Sequence, residues 1–176
     1  MTSPYRIVTV CTGNICRSPM AEFMLRQALD AAGLGSRVEV DSAGTTDWER
    51  GNPIDPRSAR VLRSHGVDDA AGHRARKITE ADLAGSELVL ALDTDHLDWL
   101  LRQASAADRH KIRLLREFDP DAEPAADPAE LGIADPWYGT AEDFDQTYRL
   151  IAAALPGIVR HVSERMSTQP GTGQHA

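Results

Sequence analysis

The chain alternates between short apolar runs and longer amphipathic stretches. Residues 5–11 are β-branched, apolar and almost uncharged, as a strand buried on both faces of a parallel sheet should be. Thr12-Gly13-Asn14 breaks the run. Ser18-Pro19 then reads as an N-cap followed by proline at the first helical position. Met20, Phe23, Met24, Gln27 and Ala28 recur at helical spacing until Gly33. Residues 38–42 alternate and close on Ala43-Gly44, a second strand. Asp55-Pro56 starts a helix that carries Ala59, Val61, Leu62 and His65 and stops at Gly66; Thr79-Glu80 starts a short one. Residues 88–92 are a third strand, residues 95–101 are helical, and residues 112–115 are a short fourth strand. From 118 to 139 the chain carries Pro120, Pro124, Pro128 and Pro136 and little periodicity, which predicts a long loop, either functional or disordered. Phe144, Tyr148, Ile151, Leu155, Ile158, Val162 and Met166 then keep a period near 3.6. Pro156-Gly157 falls inside this last helix and is expected to kink or split it.

Strands alternating with helices, joined by right-handed crossovers, predict an α/β fold: one four-stranded parallel sheet with helices on both faces. The chain's 176 residues suit one such domain, expected over residues 1–166, with a disordered tail at 167–176. In such sheets ligands bind beyond the carboxyl ends of the strands, so the loop after strand one is the first candidate site.

Net charge is −8, which argues against nucleic-acid binding. The acidity is local. Residues 117–143 hold nine acids (Glu117, Asp119, Asp121, Glu123, Asp127, Glu130, Asp135, Glu142 and Asp143) and no base, and the remainder is nearly neutral. No apolar run nears the roughly 20 residues that span a bilayer. The stretch MTSPYRIVTV shows no basic region followed by a long apolar run and a cleavage site, so no secretory leader is expected, and a cytoplasmic location without membrane contact is expected with it. Two cysteines make no disulfide framework. The six histidines (65, 73, 96, 110, 161 and 175) show no ligand spacing, so neither metal nor cofactor is expected. Asp93, Asp95 and Asp98 around His96 read as a helix start that favours negative charge.

Between strand one and helix one lies Cys11-Thr12-Gly13-Asn14-Ile15-Cys16-Arg17-Ser18. A curled loop of this length aims its amide N–H groups at one point, and the following helix aims its positive end there as well. An oxyanion of phosphate size fits, and Arg17 can grip two of its oxygens. The same surroundings favour a Cys11 thiolate, a nucleophile aimed at phosphorus. The competing reading makes Cys11 a buried strand-end residue and Gly13-Asn14 a plain turn. The loop is no nucleotide-binding glycine loop, since Gly-x4-Gly-Lys-Ser/Thr is absent.

The stretch from Val10 to Glu22, VCTGNICRSPMAE, resembles the N-terminal signature of the low-molecular-weight protein-tyrosine phosphatases. Asp135-Pro136-Trp137-Tyr138 is similar to that family's second motif. The resemblance covers residues 5 to about 165 and implies a single α/β domain hydrolysing phosphotyrosine in proteins, and small aryl phosphates, through a phosphocysteine. It implies Cys11 as nucleophile, Arg17 as the phosphoryl-binding group and Asp135 as general acid. Residues 12–18 (Thr12, Gly13, Asn14, Ile15, Cys16, Arg17, Ser18) would cradle phosphate, with Asn14 and Ser42 shaping the loop. His73 and Asp93 would support the loop core. Trp48, Trp137 and Tyr138 would wall the site, stacking on a phenyl ring; Trp99, among leucines, reads as core.

Trp137 stands where the family more often has tyrosine, and Glu49 where it often has histidine, which bears on substrate preference. Cys16 matches a family cysteine that pairs reversibly with the nucleophile on oxidation; from the residues alone it reads equally as a small buried side chain. The resemblance implies a monomer or weak dimer acting on phosphotyrosine proteins. Two alternatives share the fold: an arsenate reductase and a silent phosphate-binding module. The first needs relay cysteines around residues 80–90, where this chain has none. The second is expected to lose Cys11, Arg17 or Asp135, and all three are present.

Overall fold

A computed structural model describes residues 3–67, 69–122 and 127–168. β1 (Tyr5–Cys11), β2 (Val38–Gly44), β3 (Leu88–Ala91) and β4 (Ile112–Leu114) form one sheet in the order β2-β1-β3-β4, with every pairing parallel. The helices are α1 (Arg17–Ala31), α2 (Pro56–Ser64), α3 (Glu80–Gly85), α4 (Thr94–Gln103) and α5 (Ala141–Thr168). On one face, Ile7, Val40, Leu88 and Leu90 pack with Met24, Leu25, Phe144, Ile151 and Ile158 of α1 and α5. On the other, Val8, Val10, Val89 and Ala91 pack with Leu83 and Leu100 of α3 and α4. β1 is buried on both faces except at Arg6, as its almost uncharged sequence requires. From β1 the chain turns to β2 on one side and later to β3 on the other. The end of β1 is therefore the switch point of the sheet, where a crevice opens.

Four local expectations change. Helix α1 begins at Arg17 with Cys16 at its cap position and no side-chain cap, so Ser18 lies inside the first turn rather than at the cap. Its hydroxyl serves the loop instead. Helix α5 runs unbroken through Pro156. A Cβ at Gly157 would sit 1.9 Å from the Phe118 carbonyl oxygen; packing there and at buried Ala154, Ile158 and Val162 holds the helix against proline's preference. The long loop carries two single turns of 3-10 helix, Pro128–Leu131 and Pro136–Tyr138. Between them Ile133 is buried and donates its amide to Leu92. Trp99 is only half-buried, at the margin of the second core, with Lys77 above its ring. Residues 167 and 168 complete α5, and residues 169–176 of the expected tail lie outside the described residues.

Candidate active site

Cys11 ends β1 and is 3% exposed. Four carbonyls of the loop that starts there are engaged. Cys11 and Thr12 accept from the amides of Thr45 and Thr46 at 2.9 and 3.1 Å, and Ile15 accepts from Asp55 at 2.8 Å. The Asn14 carbonyl lies 2.7 Å from His73 Nε2. By contrast, the amides of residues 12–16 find no acceptor among the described residues. A loop with these carbonyls satisfied and its amides unmatched is built for an anion.

Asn14 sets the curl. Its φ is +60°, the left-handed region that asparagine tolerates, and its side chain is fully used. Nδ2 donates to Ser18 Oγ and Ser42 Oγ, both at 2.9 Å, and Oδ1 accepts from the Arg76 amide at 3.0 Å. Ser42 in turn donates to Glu22 at 2.5 Å. Glu22 is buried beneath the loop, and burial pushes its carboxyl up against the opposing pull of Ser42 and Arg26. Ser18 Oγ, already accepting from Asn14, lies 3.0 Å from Cys11 Sγ and 3.3 Å from the Ala43 carbonyl. Its proton is thus placed to stabilise an anionic sulfur. Gly44 has no room for a side chain: a Cβ there would stand 2.5 Å from the Thr12 carbonyl oxygen.

Arg17 opens α1 and is 3% exposed. Nη1 is anchored by Asp93 Oδ2 at 2.8 Å and the Ile133 carbonyl at 2.9 Å. Nη2 is 3.3 Å from Asp135 Oδ2, and Nε is buried without a partner among the described residues. One edge of the guanidinium is fixed and the other is left for a ligand. Burial pushes the Asp93 carboxyl up, but His96 and then Arg17 outweigh it and hold it down to about 2. Asp135 lies at the start of the 3-10 turn Pro136–Tyr138, its Oδ1 accepting from the Trp137 amide at 3.1 Å. Arg57 Nη1, on α2, donates to the Trp137 carbonyl and ties that turn to the body.

Cys11, Arg17 and Asp135 thus meet in a cleft of about 180 Å³, with Thr12, Gly13, Ile15 and Cys16 in its floor. Trp48, Trp137 and Tyr138 line its mouth and are 78%, 44% and 86% exposed, far from core behaviour. Glu49 lines the same mouth, its Oε2 accepting from Asn52 at 2.6 Å. Two larger hollows, about 430 Å³ beside β2 and about 740 Å³ between α1 and α5, are lined by no cysteine. Cys16 is buried; burial pushes its thiol up, and Asp55 and Cys11 push it further. Among the described residues no group of three or more His, Cys, Asp or Glu is arranged to hold a metal. Nor is any described helix long and apolar enough to cross a membrane.

The sequence reading named residues that lie together in the fold: Cys11, Arg17, Asp135, the loop residues and the three rim aromatics line or flank one cleft, Asn14, Ser18 and Ser42 are hydrogen-bonded to one another beside Cys11, Asp93 accepts from Arg17, and His73 lies against the Asn14 carbonyl. It gave no role to Glu22, the last residue of the VCTGNICRSPMAE stretch. It also missed Gly44, Ile133 and His96. His96 read as part of a helix start, yet its Nε2 lies 2.9 Å from Thr12 Oγ1.

Comparison with known proteins agrees with this geometry. A family model described as low molecular weight phosphotyrosine protein phosphatase matches residues 6–168. The low molecular weight protein-tyrosine-phosphatase of Streptomyces coelicolor is 42% identical over 163 residues, covering 92% of this chain and 96% of that protein. The low molecular weight protein-tyrosine phosphatase A of Mycobacterium tuberculosis is 44% identical over 167 residues, covering 95% and 97%. Among solved structures, a protein tyrosine phosphatase from Entamoeba histolytica superposes with a TM-score of 0.84 at 25% identity, covering 92% of this chain and 99% of that one. YfkJ from Bacillus subtilis gives 0.83 at 29% identity, covering 93% and 98%. With the match spanning almost the whole chain, this protein belongs to the low molecular weight phosphotyrosine protein phosphatase family.

Proposed function

We propose that the chain hydrolyses phosphotyrosine in proteins, and small aryl phosphates, in two steps at Cys11. Three phosphoryl oxygens rest on the loop amides and on the free edge of Arg17, which holds the developing charge. Cys11 Sγ attacks phosphorus in line, the P–O(aryl) bond breaks, and Asp135 gives its proton to the departing phenolic oxygen. The carboxylate that remains takes a proton from water as the water oxygen attacks phosphorus. The S–P bond breaks, phosphate leaves, and Asp135 is protonated again. Ser18 supports the thiolate in its leaving role as well as in attack.

The observation that carries this reading is a buried cysteine beneath unmatched loop amides, beside an arginine anchored on one edge only. The preference for an aryl ester follows from depth. The sulfur lies at the bottom of a cleft whose rim is Trp48, Trp137 and Tyr138, and a phenyl ring spans that depth where a serine ester does not. Asn14 and Ser42 act through loop shape, and Cys16 is the partner for Cys11 under oxidation. The protein works in the cytoplasm as a monomer or weak dimer, on phosphoproteins, without metal or cofactor.

Hydrolysis of 4-nitrophenyl phosphate by wild type, Cys11→Ser and Asp135→Ala tests the scheme. Cys11→Ser is expected to abolish turnover. Asp135→Ala is expected to lower kcat by roughly 10²–10⁴, the usual worth of general acid–base catalysis, with the loss falling mainly on water attack for this substrate. Full activity in Cys11→Ser would end the mechanism.

A further inference from the structure

Between the first loop residue and its arginine runs a side-chain bridge that the scheme above does not use. Thr12 Oγ1 is 2.9 Å from His96 Nε2. The other ring nitrogen, Nδ1, lies 2.9 Å from Asp93 Oδ1, at ion-pair distance but off the hydrogen-bond direction. The same oxygen accepts the His96 amide at 2.9 Å, while Asp93 Oδ2 takes Arg17 Nη1 at 2.8 Å. His96 is 3% exposed, in the first turn of α4, and 84 residues from Thr12 in sequence. A buried imidazole is placed here, beside a carboxylate that already caps the helix, and its one hydrogen-bonded side-chain partner among the described residues is a loop hydroxyl.

We propose that His96 is a positioning residue of the phosphate loop, joining Thr12 to the Asp93–Arg17 pair so that both ends of the loop are held as one unit. The proposal rests on the phosphatase reading. The Asp93 carboxylate beside Nδ1 assigns the ring proton to that nitrogen, so Nε2 accepts from the Thr12 hydroxyl. A β-branched side chain with its hydroxyl fixed has its χ1 fixed, and with it the setting of the first loop peptide, whose N–H faces the phosphoryl group. Asn14, Ser18, Ser42 and Glu22 brace the loop from beneath; Thr12, His96 and Asp93 brace it from the side of β3 and α4. The second brace is the one that also reaches Arg17. Loss of the imidazole therefore loosens an amide donor and the guanidinium together.

Inorganic phosphate affinity by titration calorimetry, with kcat and KM for 4-nitrophenyl phosphate, tests the bridge in Thr12→Val, His96→Leu, the double variant and Thr12→Ser. Each of the first two is expected to weaken phosphate binding by about five- to tenfold, the worth of one hydrogen bond to an anion site. The double variant should bind no more weakly than the worse single, because both cut the same connection. Thr12→Ser, which returns the hydroxyl, should recover most of what Thr12→Val loses. Losses that multiply in the double variant would overturn the proposal, as would phosphate affinity unmoved in both singles whatever happens to Tm. If His96→Leu fails to fold, the contrast between Thr12→Val and Thr12→Ser decides: an equal loss in both overturns it. Phosphate binding is read without turnover, so a phosphatase scheme refuted by an active Cys11→Ser is distinguished from a failed bridge.

Discussion

Replacing Asn14 with alanine removes three hydrogen bonds at once and strands their partners. Ser18 Oγ and Ser42 Oγ lose a donor, and the Arg76 amide loses its acceptor. Each such bond contributes about 1 kcal/mol net, and more where a buried group is left unsatisfied. Asn14 is itself fully buried, at 0% exposure, with φ +60°, and alanine in the left-handed region adds about 1–2 kcal/mol. The sum is about 4–5 kcal/mol, a third or more of the stability of an ordinary domain. Asn14→Gly loses the same hydrogen bonds without the backbone strain, so it should be the milder change by about 1 kcal/mol. Urea denaturation with unchanged m gives both values. Activity should fall further than stability alone dictates, because the carbonyl that His73 holds and the amides of the loop move with Asn14. An Asn14→Ala protein within about 1 kcal/mol of wild type, or one less stable than wild type yet fully active, would refute the idea that this side chain sets the loop.

Three further outcomes follow from the site's electrostatics and packing. Asp93 has its carboxyl held down to about 2, against about 3.9 when unfolded. It therefore contributes about 2–3 kcal/mol that is present above pH 4 and is lost as pH falls toward 2; the stability gap between wild type and Asp93→Asn should shrink over that window in urea titrations. Burial pushes the imidazoles of His73 and His161 down, with Arg113 next at His161. Folded protein then binds these protons less readily than unfolded protein, so both contributions are present above about pH 6.5 and fall as pH drops below it. His73→Gln should flatten the stability decline between pH 7 and 5, and the double variant with His161→Gln should flatten it further; a slope unchanged in both would contradict this. Gly44→Ala must push the end of β2 off the Thr12 carbonyl and should lower kcat/KM by at least tenfold with the fold retained by circular dichroism, whereas wild-type kinetics would show that the close approach is dispensable.

How far the sequence leads depends on how far apart the partners lie. The loop from Cys11 to Ser18 is one local pattern, and its strand, its curl and its arginine are legible because they are neighbours. Asp135-Pro136 is legible for the same reason, with the Asp side chain accepting from the amide two residues on. Ser18 misleads for a local reason too. Serine before proline marks a helix cap, but here the helix starts two residues earlier and the hydroxyl turns to sulfur. Pro156 misleads because local preference ignores what α5 packs on, and Gly157 against the Phe118 carbonyl is a contact 39 residues distant. The roles of Glu22 and His96 were not legible. Each is a polar residue near the start of a helix, and only the folded chain brings Glu22 beneath the loop and His96 to its side, 20 residues from Ser42 and 84 from Thr12.

Trapping the intermediate tests the central claim most directly. In Asp135→Ala with 4-nitrophenyl phosphate, the leaving group needs little help in the first step, while water attack lacks its base, so the phosphorylated enzyme should accumulate. Acid quench and peptide mass spectrometry should find one phosphoryl group on the peptide containing Cys11 and none after the same treatment of Cys11→Ser. Phosphate on any other residue, or an unmodified Cys11 peptide while turnover continues, would contradict the account.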